Sequence, residues 1–357
     1  MYLILFILLL ILIIIITNLF ILNTNNKKWF QCKNSDTDTL FKKILLKHEL
    51  KRTFNNDWDI YLPCKNDFTK ISFKNIKTNR KNQIISFVFN NGILGSKEAI
   101  WKTLEKNFGR IKSSEIMPRS YIFPKDIHVF KNEYNRDNMY ILKSEEQRQQ
   151  GLKLSNNYEE IVTSRSNGYK IVQEYINNPL LYCGYKINFR IYLLLIYDKN
   201  TLNGYIYEDG IISYSKKKSN EKNINFDNSI SSFYTSYDHY KNNFPITLRQ
   251  LKKKLNVDWD KIMKGFELQI INLLEGTNLT KYKNYPDNKT FQLFGVDFLV
   301  CKNNIDNPYV IEVNIGPGMK PYCSKDKKMR IKLYEDLLDR LKIINTSNNN
   351  FKLIYQN

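Results

Sequence analysis

Three oxygen-bearing side chains recur late in the chain at spacings that suit a cation. Phe291-Gln-Leu-Phe-Gly295-Val-Asp297 reads as one strand and Val310-Ile-Glu312-Val-Asn314 as the next. Asp297 and Glu312 each sit among apolar neighbours, where a carboxylate is costly unless it is paired or binds a metal. Residues two apart on a strand share a face, so Glu312 and Asn314 point the same way. If the two strands pair, Asp297 joins them. A few oxygen donors of this kind suit Mg²⁺ held jointly with phosphate oxygens. The competing reading is three solvent-facing polar residues on an amphipathic hairpin, and spacing leaves the two balanced.

A second set carries positive charge. Lys143 ends the run Met139-Tyr-Ile-Leu, and Lys186 and Arg190 flank Asn188 on a long apolar run. Even spacing puts Lys186, Asn188 and Arg190 on one strand face. A buried face carries Lys and Arg only with an anionic partner, and a triphosphate would be one. Between them lies Val172-Gln173-Glu174-Tyr175-Ile176, an apolar edge strand able to offer backbone groups and side-chain amide or carboxyl to an adenine ring. Taken alone, Lys143 and Lys186 read more readily as solvated strand ends.

The elements that must position these groups form a mixed α/β pattern with hairpins, unlike a regular βαβ repeat. Strands are predicted over 84–89, 139–142, 171–176, 187–197, 203–207, 211–214, 291–300 and 309–313, with a polar loop over 302–308. Ser96 is placed to cap a helix running to Phe108, with Gly109 as its stop. Helical spacing recurs over 259–274, ahead of Gly276, and over 329–341.

Residues 1–22 are almost wholly apolar, the length that spans a bilayer as a helix. No basic n-region precedes the run, which sets it apart from a cleavable signal. Lys27, Lys28 and Lys33 follow it, so the positive-inside rule predicts a single-pass membrane protein with its body facing the cytosol. Cys32, Cys64, Cys183, Cys301 and Cys323 are odd in number and form no CxxC pair, which indicates neither a zinc site nor a disulfide framework. With 55 Lys and Arg against 35 Asp and Glu, the net charge is +20. Such a surface attracts polyanions: nucleic acid, anionic lipid or an acidic protein tail.

The ordered series of motifs resembles the tubulin-tyrosine-ligase-like family. It runs Gly95-Ser-Lys97, Pro118-Arg-Ser-Tyr-Ile-Phe-Pro124, Tyr140-Ile-Leu-Lys143, Val172-Gln-Glu-Tyr-Ile176 with Pro179-Leu-Leu181, Gly184-Tyr-Lys186-Ile-Asn188-Phe-Arg190, Gly295-Val-Asp297 and Glu312-Val-Asn314. Each piece is weak alone; the order is what is specific. The resemblance covers roughly Trp58 to Leu341 and implies an ATP-grasp fold with a small α/β N-terminal lobe. The expected layout is an anchor at 1–22, a tether and short helix at 23–55, the N-terminal lobe at 56–125, the catalytic region at 126–344 and a tail at 345–357.

By position the resemblance implies that Lys97, Lys143 and Lys186 hold ATP phosphates, with Asn188 and Asp297 also lining the nucleotide site. Gln173, Glu174, Tyr175 and Ile176 contact adenine. Asp297, Glu312 and Asn314 hold Mg²⁺, and Arg190 faces the γ-phosphate, so that Arg190, Lys186 and Glu312 form the catalytic set. The implied activity is amide formation between an acceptor-protein carboxylate, such as a tubulin C-terminal tail, and a free amino acid through an acyl phosphate. A basic surface would steer an acidic tail to such a site.

Asn188 stands where the family has Asp, Ser144 where it has Pro, and Ser213 where it has Arg. Phe233-Tyr-Thr235-Ser236 replaces His-x-Thr-Asn, and the loop from Glu145 to Gly151 has one glycine. These departures leave open a tethered, weakly active binder of an acidic protein. An ATP-grasp ligase acting on a small molecule is a further alternative. A nucleic-acid binder is disfavoured, because no Lys-x-Asp-Gly nucleophile motif and no compact RNA-binding aromatic motif occurs.

Overall fold

The computed structural model describes residues 6, 9–12, 27–31, 39–62, 76–144, 151–279 and 287–357. The chain enters the fold earlier than its polar composition suggests. Strands β1 (Lys28–Gln31), β2 (Lys51–Thr53), β3 (Ile60–Leu62) and β4 (Ile84–Ser86) run parallel, with β1 pairing both β2 and β3, and β3 pairing β4. Helix α1 (Thr39–Lys47) buries Leu40, Phe41, Ile44 and Leu45 against them. Part of the segment expected to be a tether therefore belongs to the main sheet.

Helix α2 (Lys97–Ile116) starts as predicted, with Ser96 Oγ accepting from Ala99 N at 3.2 Å. Gly109 (φ 77°, ψ 165°) breaks its helical geometry, but a further helical stretch follows at once. The expected stop is thus a kink. Beyond it β5 (Ser120–Ile122), β6 (Tyr140–Lys143), β7 (Leu152–Ser155) and β8 (Ile171–Glu174) form a separate antiparallel sheet in the order β5-β8-β6-β7. Its own core is aromatic: Tyr121, Phe123, Phe130 and Tyr140 pack on Leu142, Ile161 and Val172.

The long strands follow. β9 (Leu181–Tyr182), β10 (Tyr185–Asp198), β11 (Thr201–Ser215), β12 (Ser231–Ser232), β13 (Thr290–Cys301), β14 (Asn304–Asn314) and β15 (Phe351–Gln356) join the first four in an eleven-stranded sheet. Its path is β12-β11-β10-β13-β4-β3-β1-β2, with β14 on β13, β15 on β11 and β9 on β10. The two strands expected over 203–214 are one strand, β11, paired with β10 on both sides of an irregularity between Ile206 and Gly210. The polar loop expected over 302–308 is mostly strand, closing a tight β13–β14 hairpin. The tail supplies β15.

Strand alternation distributes β10 between two cores. Phe189, Ile191, Leu193 and Leu195 face one layer with α3 (Trp259–Thr277), through Phe266, Ile270 and Leu273. Tyr192, Leu194 and Ile196 face the other, under α4 (Ser324–Arg340) with Leu333, Leu337 and Leu338. Helix α3 runs through Gly276 and ends at Asn278 in the left-handed region (φ 45°). At Gly276 an added Cβ would lie 2.4 Å from Leu104 Cδ2, so close helix packing explains that glycine.

The expected single-pass membrane protein is corrected here. Among the described residues no helix is long and apolar enough to cross a membrane. A span needs about 20 consecutive apolar helical residues, and of 1–22 only Phe6 and residues 9–12 are described, as helix. The rest of the expected anchor lies outside the described residues, as does loop 145–150. Membrane attachment and the cytosolic orientation inferred from it are accordingly withdrawn.

Gly265 tests the α3–β14 contact. A Cβ there would lie 2.6 Å from both the Asp306 carbonyl oxygen and Pro308 Cδ. Gly265→Ala gains about 1 kcal/mol of helix propensity but forces backbone apart, at about 1–3 kcal/mol. A net lowering of the urea midpoint is expected; a midpoint at or above the parent's would refute the close approach.

Candidate active site

A cavity of about 600 Å³ opens between the two sheets. All twelve residues singled out from the sequence line it: Lys97, Lys143, Gln173, Glu174, Tyr175, Ile176, Lys186, Asn188, Arg190, Asp297, Glu312 and Asn314. The small sheet contributes β6 and the end of β8, the large sheet contributes β10, β13 and β14, and α2 contributes its first residue.

Register explains why the charged groups meet. Arg190 lies directly opposite Asp297 across β10–β13, and Asp297 opposite Glu312 across β13–β14. Arg190 donates to Asp297 twice, Nε to Oδ1 at 2.7 Å and Nη2 to Oδ2 at 2.6 Å. Lys97 Nζ pairs with Glu312 Oε2 at 3.1 Å. Asn314 Nδ2 lies 3.3 Å from both Asp297 Oδ2 and Glu312 Oε1. The Arg190 fork fits because Gly295 has no side chain: a Cβ there would lie 3.1 Å from Arg190 Cδ and 3.0 Å from Pro317 Cβ.

The other cations lie towards the small sheet. Lys143 is 4 % exposed and donates to Gln173 Oε1 at 2.5 Å. Gln173 is held in turn, donating to Ser120 Oγ at 2.8 Å and to the Pro118 carbonyl at 3.2 Å. Lys186 Nζ lies 4.6 Å from the Tyr175 ring centroid, a cation–π contact. Asn188 Oδ1 is buried with no hydrogen-bond partner.

Burial shapes the electrostatics. It lowers Lys143 to about 7, with Lys97 and Lys186 adding repulsion, and lowers Lys186 to about 8. Burial opposes ionisation of Glu312, yet Lys97, Arg190 and Lys143 together hold its carboxyl below the ordinary range. Burial likewise opposes charge on Arg190, and Asp297 more than offsets it. The cleft therefore presents cations poorly solvated in the free protein, a state an anionic ligand relieves.

Among the described residues no group of three or more His, Cys, Asp or Glu forms a metal cluster. Two carboxylates and one amide converge instead. This oxygen-only set fits a hard cation that completes its shell with water and phosphate oxygens.

Sequence reasoning missed the wall made by Ser229–Ser232, which lines the cavity beside Ser213. Ser231 Oγ there is buried without a partner. Nothing in a stretch of small polar residues marks it as cleft lining. Cys183, Cys301 and Cys323 are free thiols.

The comparisons with known proteins agree with this geometry. The chain is similar to a tubulin polyglutamylase of Mus musculus, 27% identical over 252 residues, covering 63% of this chain and 18% of that protein. It is similar to a probable tubulin polyglutamylase of the same organism, 25% identical over 335 residues, covering 86% and 60%. A probable beta-tubulin polyglutamylase of Tetrahymena thermophila is 25% identical over 265 residues, covering 65% and 21%. The chain thus spans from 18% to 60% of the length of these relatives. The model of the tubulin-tyrosine ligase family matches residues 74–350. That match takes in the small sheet, the strands β4 and β9 to β14 of the large one and the twelve lining residues above, and the chain belongs to the tubulin-tyrosine ligase family.

Proposed function

We propose that the cleft is the active site of an ATP- and Mg²⁺-dependent ligase that joins a free amino acid to a carboxylate on an acceptor protein. The observation that carries this reading is the meeting of Lys97, Lys143, Lys186 and Arg190 with Asp297, Glu312 and Asn314 in one cavity. The names of the relatives support tubulin as acceptor and glutamate as the residue added.

The chemistry has two steps. The acceptor carboxylate attacks the γ-phosphorus of ATP, ADP leaves, and an acyl phosphate forms. The amino acid's amine attacks the acyl carbon, phosphate leaves, and the amine gives up a proton. The first step brings anion to anion, so charge neutralisation is the main task. Lys143, oriented by Gln173, and Lys186, flanked by Tyr175, neutralise phosphate oxygens. Gln173 to Ile176 seat the base. Asp297 holds the Arg190 guanidinium in a fixed plane at the reacting end. Asp297, Glu312 and Asn314 would hold Mg²⁺, which when bound supplies further positive charge at the phosphates.

Two measurements test this. The full chain is incubated with ATP, Mg²⁺, tubulin and labelled glutamate, glycine or tyrosine, in parallel with Glu312→Gln. Incorporation of label is expected, with turnover lower by about a hundredfold or more in the variant; equal turnover in Glu312→Gln would sink the metal assignment. The second concerns pH. Lys143 sits at about 7 in the free protein, and a bound triphosphate raises it, so binding takes up a proton. Nucleotide affinity is expected to fall as pH rises from about 6.5 to about 8. Calorimetry should show the fall, and Lys143→Met should weaken binding and flatten that window. Affinity in the parent protein independent of pH would contradict the role given to Lys143.

A further inference from the structure

The segment that leaves β14 at Asn314 and enters α4 at Ser324 is held from beneath by charges the reaction does not use. Asp326 and Arg330 are buried, at 0% and 1% side-chain exposure, and pair through Arg330 Nε and Asp326 Oδ2 at 2.9 Å. Asp326 also accepts from the Tyr322 backbone N–H at 3.0 Å and from the Cys323 N–H at 2.7 Å. That much is a helix cap, since Asp326 and Cys323 form a capping box.

The second arm of Arg330 is not needed for a cap. Its Nη1 donates to the Gly318 carbonyl at 2.8 Å. Arg330 therefore ties both ends of the turn 318–322 to one buried carboxylate. A third anchor lies upstream: the buried Gln292 donates to the Ile315 carbonyl at 2.8 Å and is fixed by Val88 N–H and Asn91 Nδ2.

What this segment borders is the reacting end of the cleft. Ile315 and Gly316 line the cavity. Pro317 packs over Gly295 beside the Arg190 stem. Tyr322 stacks near Arg330 at 5.6 Å and lies close enough to feel the charge of Arg190. Arg190 is four residues along β10 from Lys186, about 13 Å away. With the base seated by Tyr175 near Lys186, the terminal phosphate and the carboxylate that attacks it meet at the Arg190 end.

We infer that the Asp326–Arg330 pair is a positioning device: by fixing the turn 318–322 it holds Ile315 and Gly316 as the wall against which the acceptor carboxylate is seated. The inference rests on the ligase reading for the identity of that ligand; the clamp itself does not. Arg330→Lys is the informative variant, because it keeps the ion pair with Asp326 and loses the forked second donor. Asp326→Asn removes the other half.

Hydrogen exchange of the full chain, read by mass spectrometry, reports the clamp without turnover. Exchange across 316–322 is expected to be faster in both variants. Steady-state kinetics report the seat: kcat/KM for the acceptor should fall about tenfold to a hundredfold while the KM for ATP stays within about twofold. Unchanged exchange in Arg330→Lys overturns the inference, and so does faster exchange with an acceptor kcat/KM like the parent's. An equal loss for ATP and acceptor would reduce the pair to general stability and overturn it too. Failure of the parent protein to turn over any amino acid would refute the ligase reading instead, and the exchange result would still decide the clamp.

Discussion

A row of alternating partners laid across three strands and a helix start governs this fold. Arg190, Asp297, Glu312 and Lys97 follow one another across β10, β13, β14 and the first residue of α2. Arg190 and Asp297, the more deeply buried members of the row, need each other, because an unpaired buried charge costs several kcal/mol. The row thus constrains register: sliding β13 by one residue against β10 would send Asp297 to the opposite face and leave Arg190 facing apolar side chains. The geometry of the cleft and the correct pairing of the central strands are one requirement.

The same strand serves both core and cleft. On β10 the even positions begin as Lys186, Asn188 and Arg190 and continue as Tyr192, Leu194 and Ile196. Helix α4 covers the second half and leaves the first open to the cavity. Tyr192 marks the boundary. Its hydroxyl is buried without a hydrogen-bond partner and lies between the fields of Arg190 and Arg330, which partly offset the rise that burial imposes. The ion pair of the cleft and the ion pair under its wall are therefore adjacent parts of one polar seam through the core.

The legible features were those with strict periodicity. Even spacing put Lys186, Asn188 and Arg190 on one face, and the apolar runs around Asp297 and Glu312 marked a hairpin; both are present. Punctuation misled where tertiary packing overrode it. Gly276 reads as a helix stop, yet it lies within α3 because Leu104 and Phe108 approach too closely for any larger residue. The gap between the strands expected over 203–207 and 211–214 is bridged by β11, whose pairing with β10 is irregular there, and an added Cβ at Gly210 would lie 2.4 Å from the Arg190 carbonyl oxygen. The strand expected over 84–89 is present as the short β4, which pairs with the edge of β13; β1, β2 and β3 are three or four residues each, too short for a periodic signal, and were not expected. The serine wall was illegible for a related reason: small hydroxyl residues carry no periodic signature, and only the fold brings them opposite Asn188.

Asn188 shows how the departures from the family pattern fit the electrostatics. It sits across from Ser213 on β11 and beside Lys186, and it contributes an amide where the resemblance implies a carboxylate. The amide adds no negative charge beside the buried lysines, whose proton affinity burial lowers. A carboxylate at 188 would stabilise the empty, fully protonated site and compete with an incoming anion for the same lysines. The neutral amide instead leaves its acceptor oxygen buried in the cleft without a hydrogen-bond partner.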